Sequence, residues 1–220
     1  MNTRCVFVTG ATGYMGRALI PALLARGHRV RALARGGSSA RVPPGAETIV
    51  GDALDASSFA AAIAPADTLV HLVGTPHPSP AKAASFQSVD LRSVEAAVAA
   101  GLTAEVRHFV YVSVAQPAPV MQAYIAERQA GEARVAGSGI PATILRPWYV
   151  LGPGHRWPWL LVPAYAVLGW LPATRATSQR LGLVTLEQMV RALVASIERG
   201  PAGAGIVNVP GIRAAAAAHS

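Results

Sequence analysis

Short apolar runs alternate with amphipathic stretches along the chain. CVFVTG, starting at Cys5, is followed by glycine-rich punctuation, then by Met15, Leu19, Ile20, Leu23 and Leu24, with Gly27 closing the segment. A short apolar run bounded by turn residues predicts a buried strand, and apolar positions three and four residues apart predict a helix with one covered face. The same reading gives strands at RVRALA, ETIVG and DTLVHLVG, with a short helix starting near Asp55 between the last two. FQSVDLRSVEAAVAAG predicts a long helix, HFVYVSV a fifth strand, MQAYIAERQAGEARVAGSG a helix ending in glycine and ATILRP a sixth strand. Beyond Pro147 the pattern loosens. GPGHRWPW reads as loop, Leu160 to Leu171 as an interrupted apolar stretch, TLEQMVRALVASIERG as a helix capped by Thr185, and GIVNVPG as a last strand. The AAAAAHS end carries no pattern and is expected to fray. No internal repeat is present.

Near-continuous apolar strands separated by helices imply a parallel sheet covered on both faces. The expected fold is therefore α/β, a doubly wound parallel sheet of the Rossmann type. A chain of 220 residues fits one core. The expected organisation is a single domain over residues 1–213, with 148–184 as a substrate-side region and 214–220 as a disordered tail.

Composition narrows the classes. Cys5 is the sole cysteine, which excludes an internal disulfide and suits a packed thiol in a reducing cytosol. The net charge of +8 would suit nucleic acid if the cations clustered, but the arginines are scattered and Lys82 is the sole lysine among 19 basic residues. No nucleic-acid partner is expected. Thr9, Gly10, Thr12, Gly13 and Gly16 interrupt the N-terminal apolar run before a signal sequence could form. WPWLLVPAYAVLGWLP contains Pro163 and falls short of the roughly 20 residues needed to span a bilayer. The expectation is a soluble cytoplasmic protein, monomer or homodimer, with no membrane span and no metal. The helix near Val89 to Ala100 is a candidate pairing surface that also has a sheet to cover.

Gly10, Gly13 and Gly16 lie between a predicted strand and a predicted helix. There Gly10 permits a tight turn, Gly13 lets backbone approach a pyrophosphate and Gly16 lets the helix pack closely, while unpaired amides at the helix start face the anion. Further on, an acidic residue would bond the adenine ribose 2′-hydroxyl, whereas arginine attracts a 2′-phosphate. This chain offers Arg35, with Arg31, Ser38, Ser39 and Arg41 nearby and no carboxylate between Arg17 and Arg41. NADP(H) is expected ahead of NAD(H).

The G-x-x-G-x-x-G spacing of TGATGYMG resembles the short-chain dehydrogenase/reductase superfamily in its extended and atypical branches. GDALD, VHLVG, VYVSV and TILRPWYVLGPG resemble later segments of that family, in its order, over most of residues 5 to 154. The pattern is most similar to NmrA-like, NAD(P)H-binding atypical members. The resemblance implies a cofactor site built from Gly10, Thr12, Gly13, Tyr14, Met15, Gly16, Arg35, Asp52, Ala53, Val73, Gly74, Pro147 and Tyr149. Asp52 would meet the adenine amino group or, read on its own, end a turn. The resemblance also implies a catalytic set of Tyr124 and Ser113, with Arg128 standing four residues after the tyrosine where the family has lysine. Guanidinium favours a nearby phenolate but cannot relay a proton. Two functions follow: an NADP(H)-dependent oxidoreductase acting on a small apolar carbonyl or quinone-like acceptor, or a non-catalytic NADP(H)-binding redox sensor. Trp148, Tyr149, Trp157, Trp159, Tyr165 and Trp170 form the expected wall for an apolar or aromatic substrate, with His155 and Arg156 beside it; the alternative is a small core under a lid. His71, in an apolar strand, is read as a packed histidine.

Overall fold

The computed structural model describes residues 3–75, 85–118, 120–153 and 180–217. Six strands fall where the apolar runs predict them: β1 (Cys5–Thr9), β2 (Arg29–Ala34), β3 (Glu47–Val50), β4 (Thr68–His71), β5 (His108–Val112) and β6 (Ala142–Arg146). Two short strands follow, β7 (Tyr149–Leu151) and β8 (Leu183–Thr185), then β9 (Gly205–Asn208). The main sheet has the order β3-β2-β1-β4-β5-β6-β9, parallel throughout, while β7 and β8 pair with each other. The helices are α1 (Gly16–Ala25), α2 (Arg92–Thr103), α3 (Gln122–Gly137), α4 (Leu186–Arg199) and α5 (Val209–Ala217).

Side chains alternate across a strand, so each central strand feeds two cores. In β1, Val6 and Val8 join α1 and α4 on one face, and Cys5 and Phe7 join α2 on the other. In β5, Val110 and Val112 face the first core, Phe109 and Tyr111 the second. This is why the strands read as continuous apolar runs. The order reverses between β1 and β4, and in such sheets ligands bind outside the carboxyl ends of the strands at that reversal.

Four local features depart from the sequence expectation. The segment after Asp55 forms two 3₁₀ turns, Ala56–Ser58 and Ala60–Ala62, the first capped by the Asp55 carboxylate. The long helix begins as a π-helix, Phe86–Leu91, before α2 takes over. The last strand stops at Asn208, because Pro210 in the first turn of α5 needs no amide partner there. The frayed end is corrected for residues 214–217: they belong to α5, where Ile212 and Ala216 are buried and the Arg191 guanidinium donates to the Ala216 carbonyl. Thr185 caps α4 as expected, with Gln188 completing a capping box. Among the described residues no helix is long and apolar enough to cross a membrane. Trp157, Trp159, Tyr165, Trp170, His155 and Arg156 lie outside the described residues.

Candidate active site

The glycine loop has the shape that its spacing predicts. Gly10 follows β1 with φ +72°, a left-handed conformation that favours glycine, and a Cβ there would stand 2.8 Å from the Leu72 carbonyl carbon. A Cβ on Gly16 would stand 2.6 Å from the Ala11 oxygen, so only glycine lets α1 close on the loop. Gly13 differs. It is exposed, its amide closes the turn onto the Gly10 carbonyl at 3.0 Å, and a Cβ there would meet only that carbonyl oxygen. Gly13 is open on the side away from that carbonyl, flanked by half-buried Thr12, Tyr14 and Met15 at the start of α1. Burial pushes the Tyr14 phenol up, and a Cβ on Gly152, after β7, would collide with the Tyr14 hydroxyl.

Past β2, the four basic and hydroxyl candidates around Arg35 have other uses or stay apart. Arg31 pairs with Glu47 across the β2–β3 register, with Nη2 2.6 Å from a carboxylate oxygen, and also donates to the Ala64 carbonyl. Ser38 and Ser39 donate back to the Arg35 and Gly36 carbonyls, closing a 3₁₀ turn. Arg35 itself is exposed and, like exposed Arg41, makes no ion pair among the described residues. Asp52 is exposed and accepts the Leu54 amide at 3.0 Å, the turn role, which leaves its second carboxylate oxygen unused within that turn. Ala53 packs against the second core.

A buried ion pair joins α3 to the π-helix Phe86–Leu91. Arg128, on α3, is 5% exposed, and its Nη2 lies 2.6 Å from Oδ1 of Asp90, which is 1% exposed. Asp90 also accepts the Thr75 amide at 3.1 Å and the Thr75 hydroxyl. The Arg128 Nη1 donates to the Tyr111 hydroxyl at 3.3 Å and the Val112 carbonyl at 3.2 Å, and Nε donates to the Tyr124 hydroxyl at 3.1 Å. Burial opposes the Arg128 charge, but the two tyrosines and Asp90 more than offset it and hold the guanidinium protonated. Burial also raises the Tyr111 phenol, with Arg128 opposing. The bare backbone of Gly74 makes room for the guanidinium, which a Cβ would strike.

The expected catalytic residues are brought to one neighbourhood. Tyr124 is half-buried, edge-on to Phe86 with ring centroids 5.0 Å apart, and bonded to Arg128. Ser113 follows Val112, whose carbonyl Arg128 holds; its Oγ is buried and has no hydrogen-bond partner among the described residues. Pro147 is buried and its carbonyl accepts the Ala115 amide at 2.8 Å, while Tyr149 stands edge-on to Trp148. Val73 is half-buried beside Gly74. His71 is buried between the Thr9 and Ser93 hydroxyls at 2.8 and 3.2 Å, and burial pushes it down to about 3. That is a packed neutral imidazole. Sequence reasoning missed Asp90, Thr75 and Tyr111, although an arginine replacing the family lysine signals that a counter-ion is needed. It also missed Glu132, one further turn along α3, which pairs with Arg146 and accepts from Gln116.

A glycine turn at the reversal of a parallel sheet, open at Gly13, is the frame of a dinucleotide site. The family model described as NAD(P)H-binding matches residues 10–154. The chain belongs to this family. Relatives within reach include a ceramide reductase of Caulobacter vibrioides, 30% identical over 86% of this chain and 60% of its own length. A 3-diazoavenalumate denitrifying reductase of a Streptomyces species is 30% identical over 90% of this chain and 73% of its own. The chain spans 31% to 60% of the length of the first curated relatives it matches. Among solved structures, a short-chain dehydrogenase/reductase superfamily protein from Agrobacterium tumefaciens, with bound NAD, superimposes with TM-score 0.67 at 19% identity, covering 92% of this chain and 76% of its own. That likeness shows the Rossmann-type fold of this NAD(P)H-binding chain.

Proposed function

We propose that the protein is an NADP(H)-dependent reductase of a small, apolar carbonyl or quinone-like acceptor, with Tyr124 as the proton donor. The carrying observation is the bond from Arg128 Nε to the Tyr124 hydroxyl at 3.1 Å. A guanidinium has donors only. The Tyr124 oxygen must therefore accept, and its own proton is left to donate elsewhere. The buried Ser113 hydroxyl, without a hydrogen-bond partner among the described residues, supports the same reading, since such a group is costly unless a polar atom meets it.

When bound, the reduced nicotinamide supplies a hydride. Tyr124 would give its hydroxyl proton to the acceptor oxygen, which would leave a hydroxyl on the reduced acceptor and a phenolate on the tyrosine. Ser113 donates a hydrogen bond to that oxygen. Arg128 Nε–H stabilises the phenolate, and solvent returns the proton, because guanidinium does not relay one. The NADP(H) preference rests on Arg35, exposed and unpaired among the described residues, whereas Arg31 is spent on Glu47. The reductase names of two relatives agree with this direction of reaction.

A second reading, a cofactor-holding redox sensor without turnover, draws on the commitment of Arg128 to Asp90. One screen separates them: NADPH oxidation over quinones, aldehydes and ketones, with Tyr124→Phe in parallel. The reductase should turn over at least one acceptor, and the variant should lose about 10²-fold or more in kcat. Tight NADPH binding with no turnover on any acceptor leaves the sensor.

A further inference from the structure

Tyr124 depends on a charge balance set two residues away from it in space. We propose that Asp90 is the positioning residue of this site: it fixes the Arg128 guanidinium so that Nε faces Tyr124 and cancels enough of its charge to keep the phenol protonated and able to donate. This rests on the reading of Tyr124 as proton donor, and deepens it.

Three observations carry it. First, the Asp90 carboxylate is fully engaged from the far side by the Thr75 amide and hydroxyl, so it cannot swing away from Arg128. Second, the guanidinium is planar, and its edges are spoken for: Nη2 by Asp90, Nη1 by Tyr111 and the Val112 carbonyl. With Nη1 and Nη2 held on these partners, it is Nε that meets Tyr124. Third, Gly74 removes the side chain that would occupy the same space, so the pair fills a slot shaped for it. The location of Asp90 follows from the π-helix Phe86–Leu91, whose wider turn ends just before α2 and carries Asp90 inward.

Charge arithmetic gives the consequence. A bare buried cation beside a phenol favours the phenolate strongly, whereas one with a carboxylate within 2.6 Å is close to a neutral dipole at that range. The ion pair therefore steadies Tyr124 without ionising it beforehand.

The test uses the full chain with Asp90→Asn, near-isosteric but uncharged. The readout is the near-ultraviolet phenolate titration of Tyr124, isolated by subtracting the Tyr124→Phe counterpart of each variant, beside NADPH affinity by calorimetry. Loss of the carboxylate should move the Tyr124 phenolate midpoint to lower pH by roughly one unit or more. In the parent's turnover assay, the pH above which reduction fails should fall by the same amount. An unchanged midpoint in a folded variant overturns the proposal, whatever happens to stability. Should Asp90→Asn fail to fold, Asp90→Asn with Arg128→Gln removes both charges, and neutral replacement of a buried pair is often tolerated. Its midpoint should lie within about one unit of the parent's; a rise well beyond that would mean that Asp90 was not cancelling the guanidinium charge, and overturns the proposal. The titration needs no substrate. A shifted midpoint in a protein that reduces nothing would leave this inference standing and remove the proposed reductase.

Discussion

Gly74 and Arg128 compete for one volume: a side-chain carbon on the glycine would run into Nη2 of the arginine, which Asp90 holds in place. The end of a free arginine would step aside at small cost. This one is buried and bonded on three sides, so it cannot. Gly74→Ala is expected to destabilise the fold by about 1–3 kcal/mol, in the manner of an overpacked core. Urea unfolding measures it, and an unchanged midpoint would mean that the guanidinium has somewhere else to go.

The loop glycines should separate folding from binding. Gly16→Ala drives a methyl into the loop carbonyls and is expected to lower the unfolding midpoint and the dinucleotide affinity together. Gly13→Val puts bulk on the open side and is expected to cost less stability than Gly16→Ala, since its Cβ meets one carbonyl oxygen at 3.1 Å, while weakening dinucleotide binding about tenfold or more. Scanning calorimetry and titration calorimetry on the two variants decide it; equal loss of stability in both would refute the division.

Coenzyme choice should reverse with one charge. Arg35→Glu is expected to lower the NADPH-to-NADH affinity ratio by roughly 10- to 100-fold, since a phosphate would face a carboxylate instead of a guanidinium. Arg31→Gln should leave that ratio alone, because Arg31 already serves Glu47. A ratio that moves with Arg31 and not Arg35 would relocate the phosphate.

Acid should weaken the fold through its buried histidines. His71 is pushed down to about 3 and His108 to about 4, both from an ordinary 6.5 and both first by burial. The unfolded chain therefore binds more protons below pH 6.5, and stability present above that value is lost as the pH falls toward the folded values. Each histidine should withdraw about 1 kcal/mol per pH unit in that window. Unfolding midpoints at pH 7 and pH 5 measure the slope, and His71→Gln should flatten it; an equal slope in the variant would assign the effect elsewhere.

Much of this was legible in sequence, and the reasons are local. Phe7 and Val8, or Tyr111 and Val112, are adjacent in the chain and face opposite cores, so the two-sided burial of the sheet appears as unbroken apolarity. The glycine loop is legible because its demands are on backbone shape. Asp90 was not, since one aspartate in a helical stretch looks the same whether it meets solvent or a buried guanidinium 38 positions later. The use of Arg31 was hidden for a related reason: its partner Glu47 arrives only through strand register. The strands β7 and β8 are three residues each, too short for an alternation to show, and their pairing joins residues 34 positions apart.

Tyr124, Arg128 and Glu132 succeed one another at single-turn intervals along α3, and the second and third are bolted to Asp90 and Arg146 on different elements. The phenol thus rides on a shaft clamped at two bearings. Its place is set when the chain folds, so whatever meets it must do the travelling.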